Sequence, residues 1–147
     1  MKTTFILLFS AIVMGACSKS KTDEAPSELA ASTTLNVSYG TSPQQTMDVY
    51  LPAGRTTSST KVLVLIHGGG WTSGDKNDFA SYIPNFQAQL KDYAIFNINY
   101  RLFNGNDNRF PAQENDVKKA IDFIFNKSGE YKIGNKLALL GASAGAH

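Results

Sequence analysis

Residues 62–71 read Val62-Leu63-Val64-Leu65-Ile66-His67-Gly68-Gly69-Gly70-Trp71. Five β-branched and leucine side chains in a row leave no polar face. That pattern fits a strand buried on both sides, as in a parallel sheet covered by helices. The run ends abruptly in a histidine and three glycines. With no Cβ in the way, backbone N–H groups in such a loop can converge on a single oxygen. A doubly buried strand that empties into a glycine loop places the chain in the α/β class, with its chemistry at the strand's end.

The flanking segments agree. Downstream, Phe79, Tyr82, Ile83, Phe86 and Leu90 recur at helical spacing, and Pro84 fits only in a first turn, so the regular helix should begin near Ser81. Tyr93 to Tyr100 reads as a second strand and Arg101 to Arg109 as a polar loop. Pro111 opens a second helix with Val117, Ala120, Ile121 and Ile124 on its apolar face, and Gly129 should end it. Leu137 to Leu140 is a short apolar strand. Upstream, Leu35, Val37 and Tyr39 alternate with polar residues, then Met47, Val49 and Leu51 do the same across a turn at Gly40 to Pro43. That is a hairpin. The predicted order is β-β-β-α-β-α-β, a mainly parallel sheet with an antiparallel leading hairpin.

The last predicted strand runs into Gly141-Ala142-Ser143-Ala144-Gly145, a G-x-S-x-G pattern. A sharp strand-to-helix turn can raise a serine hydroxyl above the end of a sheet, and small flanking residues give the bent backbone room. Alone the pattern also describes an ordinary glycine-rich turn. A nucleotide loop is the competing reading of the first motif, since Gly69 and Gly74 have P-loop spacing and Lys76 is near. Asp75 intervenes between Gly74 and Lys76 where the motif needs lysine directly after glycine, Asn77 replaces the hydroxyl residue, and a carboxylate there would repel phosphates.

With both motifs in order, the sequence resembles the α/β-hydrolase superfamily, and within it the hormone-sensitive-lipase-like and feruloyl or acetyl-xylan esterase-like branches. The residues that carry the likeness are His67 to Trp71, Asn99-Tyr100-Arg101-Leu102, Phe110-Pro111-Ala112 with Asp116, and Gly141 to His147. The resemblance covers roughly residues 35–147. It implies Ser143 as the nucleophile and the N–H groups of Gly69, Gly70 and Ala144 as the oxyanion hole, with Gly68 as substitute if the loop shifts by one. It implies a loop-structuring role for His67, best met by a buried imidazole satisfied by backbone carbonyls. Asp116 is expected as a solvated or capping carboxylate. The implied activity is hydrolysis of carboxylic esters through an acyl-enzyme, on small molecules or acylated polysaccharides, with no cofactor and no metal. An amidase, peptidase or formamidase of the same fold is the alternative, as is a non-catalytic tethered scaffold.

In this fold the triad runs Ser, then Asp or Glu, then His. Only Ala144-Gly145-Ala146-His147 follow Ser143, and His147 has no acid behind it, so it is expected to pack rather than to act as base. Residues 33–147 are therefore expected to be an incomplete hydrolase domain, truncated at the nucleophile elbow and inactive alone.

Composition narrows the rest. In 147 residues, 42% are hydrophobic and the net charge is +2, with no basic patch that would suit nucleic acid. The one cysteine rules out an intramolecular disulfide. Lys2, the apolar run from Phe5 to Val13, and Gly15-Ala16 read as an export signal over residues 1–16, too short to span a bilayer, which takes ~20 residues. Met14-Gly15-Ala16-Cys17 resembles a bacterial lipobox with methionine for the usual leucine, which implies lipidation of Cys17, a membrane anchor and a place in the cell envelope. An ordinary signal with an incidental cysteine is the other reading. Residues 17–32 read as a flexible tether.

Overall fold

The computed structural model describes residues 28–147. The export signal, Cys17 and all but the end of the 17–32 segment lie outside the described residues. At that end, the Gly54 N–H donates to Leu29 O and Arg55 donates to Ala30 O, so the chain is already docked before the first strand.

Five strands form one sheet: β1 (Ser32–Ser38), β2 (Thr46–Leu51), β3 (Lys61–Ile66), β4 (Tyr93–Ile98) and β5 (Leu137–Gly141). Their order across the sheet is β1-β2-β4-β3-β5. The leading hairpin is antiparallel, and β2 joins β4 antiparallel. β3 lies parallel between β4 and β5. This is the predicted architecture, an α/β fold matching the first half of the α/β-hydrolase pattern.

The apolar run of β3 is central because both its faces are covered. Val62, Val64 and Ile66 pack with Ala120 and Ile124 of α2 (Ala112–Asn126). Leu63 and Leu65 pack with Phe79 and with Ile83 of α1 (Ile83–Gln89). The proline is placed as its chemistry requires. A 3₁₀ turn at Lys76–Tyr82 ends where the α-helix starts, and Pro84 falls in the first turn of α1, where no N–H is needed. Asp75 caps the 3₁₀ turn, accepting from Asn77 N at 2.8 Å while Asp78 accepts from Asp75 N at 3.3 Å.

Three expectations are corrected. Leu35 does not share an inward face with Val37; it is 58% exposed. The β1–β2 register shifts between Thr34 and Val37, with Asn36 at φ +57° and its N–H on Asp48 Oδ1 at 2.8 Å, so the alternation breaks at a bulge. Gly129 does not end the second helix. α2 stops at Asn126, a short α3 (Ser128–Tyr131) contains Gly129, and Lys132 at φ +54° ends it. Asp116 is neither solvated nor a cap.

Asp116 is 1% exposed. It accepts from Arg101 N at 2.9 Å, Arg101 Nε at 2.8 Å, Arg101 Nη2 at 2.7 Å and Gln45 Nε2 at 2.7 Å. One carboxylate thus ties the β1–β2 turn and the loop after β4 to α2. Burial alone would push its pKa up; the Arg101 and Gln45 hydrogen bonds and the Arg101 charge outweigh it and hold the carboxyl below its ordinary range. A carboxyl lowered in the folded state stabilises the fold above its unfolded pKa, and the contribution is lost as pH falls through the folded value. Asp116→Asn is expected to destabilise the protein by about 3 kcal/mol near pH 7, because it leaves Arg101 without its counter-charge. The deficit should shrink from about pH 4 downward, as the wild-type carboxylate is itself protonated. Urea unfolding at pH 7 and pH 3 reads both, and a pH-independent deficit would refute the ion-pair account.

Candidate active site

Residue register brings the two glycine motifs together. β3 and β5 are neighbours and parallel, and Ile66 is paired with Gly141. The strands therefore end at one level, and His67-Gly68-Gly69-Gly70 and Ala142-Ser143-Ala144-Gly145 leave the sheet side by side. The glycines are there because backbone passes against backbone. A Cβ on Gly145 would lie 2.4 Å from Ile66 O and 2.5 Å from His67 O, and one on Gly141 would lie 2.2 Å from Gly145 O. A Cβ on Gly68 would lie 2.8 Å from Ala142 O and 3.2 Å from the Ser143 Cβ. The close approach of Gly68 to Ser143 is what puts the loop over the serine.

Ser143 is exposed, at φ +50°, between β5 and a 3₁₀ turn over Ser143–Ala146. A side chain in that left-handed region costs about 1–2 kcal/mol, so the surroundings must hold it there. The glycine loop is bent in the same sense, with Gly69 at φ +103° and Gly70 at φ +59°. The Gly69 carbonyl is turned inward, accepting from Thr72 N at 3.1 Å, Ser73 N at 3.0 Å and Ser73 Oγ at 3.0 Å. Its acceptor capacity is thus spent inside the loop. The N–H groups of Gly69, Gly70 and Ala144 take part in none of the hydrogen bonds found among the described residues. Three donors without an acceptor beside a strained serine form a site that an oxyanion can complete.

The loop rests on aromatic side chains. His67 is 1% exposed, stacked on Tyr100 at 4.2 Å between ring centroids, with Nδ1 2.8 Å from Gly68 O. The carbonyl can only accept, so Nδ1 carries the hydrogen. Burial lowers the His67 pKa, and the bond to Gly68 only partly offsets that, so the ring is neutral. Tyr100 Oη donates to His67 O at 2.8 Å and Gly68 O at 3.2 Å. Trp71 stacks on Phe110 at 5.7 Å, and Phe110 is 65% exposed. An open cleft of about 700 Å³ runs from Trp71 and Phe110 past Ile66 and Gly141 to Val117 and Ile121 of α2.

His147 is exposed and packs edge-on against Trp71 at 6.0 Å between ring centroids. Neither histidine forms a relay with Ser143 among the described residues. Two supports were missed from sequence. One is Tyr100, whose hydroxyl pins the loop. The other is the buried Lys76–Asp48 pair, 2.8 Å apart, which fastens the far end of the loop to β2. Lys76 follows the glycine loop by only a few residues, which was the available signal.

A family described as BD-FAE matches residues 47–147, more than half of the chain and both motifs. The chain belongs to the BD-FAE family. The BD-FAE match takes in His67 to Trp71 and Gly141 to Gly145 whole and leaves Cys17 outside it. The chain is 32% identical over 104 residues to arylacetamide deacetylase of Bos taurus, which covers 67% of this chain and 25% of that protein. Among solved structures it is similar to esterase B from Lactobacillus rhamnosis, with TM-score 0.64 and 30% identity over 80% of this chain and 37% of that one. It is also similar to a truncated carbohydrate esterase from gut microbiota, with TM-score 0.64 and 25% identity over 83% of this chain and 43% of that one. The chain thus spans about a quarter of the deacetylase and less than half of either esterase.

Within this BD-FAE loop the glycines differ in what they demand. At Gly69 a Cβ would lie 2.1 Å from Ser73 O, whereas at Gly70 it would meet nothing within 4 Å. Gly69→Ala is expected to cost about 3 kcal/mol and Gly70→Ala about 1 kcal/mol. Denaturant midpoints of the two variants measure the difference, and equal costs would contradict the loop conformation described.

Proposed function

We propose that the protein is a serine hydrolase that cleaves carboxylic esters through an acyl-enzyme on Ser143. The observation that carries this reading is the strained Ser143 held against a loop whose Gly69 and Gly70 N–H groups, with that of Ala144, have no acceptor. The named esterases among its similar structures support it.

The chemistry follows from the placement. Ser143 Oγ attacks the ester carbonyl carbon, and its proton passes to a base that is not among the described residues. The carbonyl oxygen becomes an oxyanion, and the N–H groups of Gly69, Gly70 and Ala144 donate to it. These donors are worth most when charge develops, because they are already oriented and need no reorganisation; removing one such donor in comparable enzymes costs ~10²–10³ in rate. Collapse of the intermediate breaks the bond to the alkoxy oxygen, which leaves as the alcohol with the proton. Water then adds to the acyl-enzyme by the same path and releases the acid. His67 takes no proton, being buried, neutral and committed to Gly68.

An acylated polysaccharide is the substrate class favoured here, by likeness to the carbohydrate esterase and by the export signal in the sequence. The likeness to arylacetamide deacetylase supports a second reading, in which the scissile bond is an amide. In the full-length protein, Ser143→Ala is expected to lower hydrolysis of p-nitrophenyl acetate by at least about 10³-fold and to abolish labelling by a fluorophosphonate probe. Labelling that survives the substitution sinks the proposal. Turnover of aryl acetamides faster than of the matched aryl acetates would move the assignment to the amide reading.

The Met14-Gly15-Ala16-Cys17 motif supports an exported protein anchored through a lipid on Cys17. Cys17→Ser is expected to move the protein from the membrane pellet to the soluble fraction of fractionated cells. A protein that is soluble before the substitution is not so anchored.

A further inference from the structure

The oxyanion donors come from two separate segments. Gly69 and Gly70 belong to the loop after β3, and Ala144 to the turn after β5. Their N–H groups can serve one oxygen only if the two segments keep a fixed spacing, and the last backbone bond between them, Ala142 N to Ile66 O at 3.0 Å, lies below all three donors. Above that bond the glycines let the two backbones pack, Gly68 on Ala142 and Gly145 on His67, but packing does not by itself fix a hydrogen-bonded spacing.

One side chain does. The Trp71 indole Nε1–H donates to the carbonyl of Ala144 at 3.0 Å, joining residues 73 apart in sequence. The acceptor belongs to the same residue whose N–H would be the third oxyanion donor, and the donor residue directly follows Gly70. Trp71 is itself firmly held. Its backbone is at φ +65°, a conformation that persists only where the surroundings enforce it. Its carbonyl accepts from Phe103 N at 2.8 Å, and its ring is stacked on Phe110. The Ala144 carbonyl also accepts from His147 N at 3.2 Å, so the indole bond is added to the turn's own ladder rather than replacing it.

We propose that Trp71 is a positioning residue of the esterase site: its indole N–H fixes the spacing between the Gly69–Gly70 and Ala144 halves of the oxyanion hole. The inference rests on the ester-hydrolase reading for its catalytic consequence and on geometry alone for the bridge. Packing of the ring and hydrogen bonding by its N–H are separable, because 3-benzothienylalanine has nearly the shape of tryptophan but no N–H.

The test uses the full-length protein with Trp71→Phe and Trp71→3-benzothienylalanine. Both are expected to lower kcat for p-nitrophenyl acetate by about 10- to 100-fold, the scale of a small misplacement of catalytic groups, with KM changed less than about twofold, as for an interaction that matters only in the transition state. Amide hydrogen exchange in a peptide covering residues 141–147 should accelerate in both, while the thermal midpoint of the 3-benzothienylalanine protein stays within about 3 °C of wild type. Wild-type exchange at 141–147 in the 3-benzothienylalanine protein overturns the bridge, whether or not the protein hydrolyses esters. Wild-type kcat in that protein overturns the catalytic role. If the unsubstituted protein turns over no ester while exchange responds as expected, the ester-hydrolase reading fails and the bridge stands.

Discussion

The pairing of β3 with β5, with Ile66 opposite Gly141, is the constraint from which the site follows. Side chains alternate along a strand, so a slip of one residue would turn Leu137 to Leu140 over and lift one glycine motif relative to the other. β3 cannot slip easily. Its odd and even side chains are claimed by two different helical layers, α2 on one face and the 3₁₀ turn with α1 on the other. A strand buried on both faces has no register in which it loses nothing. The precision of the glycine loops is therefore inherited from a hydrophobic strand that takes no part in chemistry.

Above that sheet the backbone is tied down by polar groups that are themselves buried. Lys76 with Asp48 and Arg101 with Asp116 are charged pairs in which at least one partner is nearly inaccessible. Such pairs add little net stability, because desolvation consumes most of the attraction. Their value here is geometric. Each joins a loop that frames the site to an element of the sheet or to α2, and losing one partner leaves the other charge without compensation. Tyr100 does the same with neutral groups, spending its hydroxyl on two loop carbonyls. With those carbonyls occupied, the loop cannot easily flip its peptides and turn oxygens toward the serine.

The architecture was legible because its signals are local. Five apolar residues in a row, a proline that tolerates only a first turn, and glycines at the ends of two strands each constrain their own neighbourhood. What escaped depends on partners distant in sequence. Nothing near Leu35 says that Asp48 will take the Asn36 N–H and bulge the strand. Nothing in α2 says that Asp116 will face Arg101 and Gln45 rather than water. Gly129 looked like a helix end because glycine often is one, yet the chain turned at Lys132, where a left-handed lysine serves instead. The serine and the glycine loop could be read as motifs, whereas the Trp71–Ala144 contact could not, since nothing within either motif says that the indole N–H will reach the other one.

That contact spans 73 residues, and the β3–β5 ladder beneath it closes a loop of similar size. Contacts so far apart in the chain form late, because the entropy of closing the loop must be met before the pairing is rewarded. The β3–β4 pair is much nearer in sequence and does not need β5. The order of assembly thus separates scaffold from site: the β3–β4 pair can form before the turn that holds Ser143 at φ +50° is in place. The turn at Ser143 is the last to be set, because it hangs on the most distant pairing in the sheet.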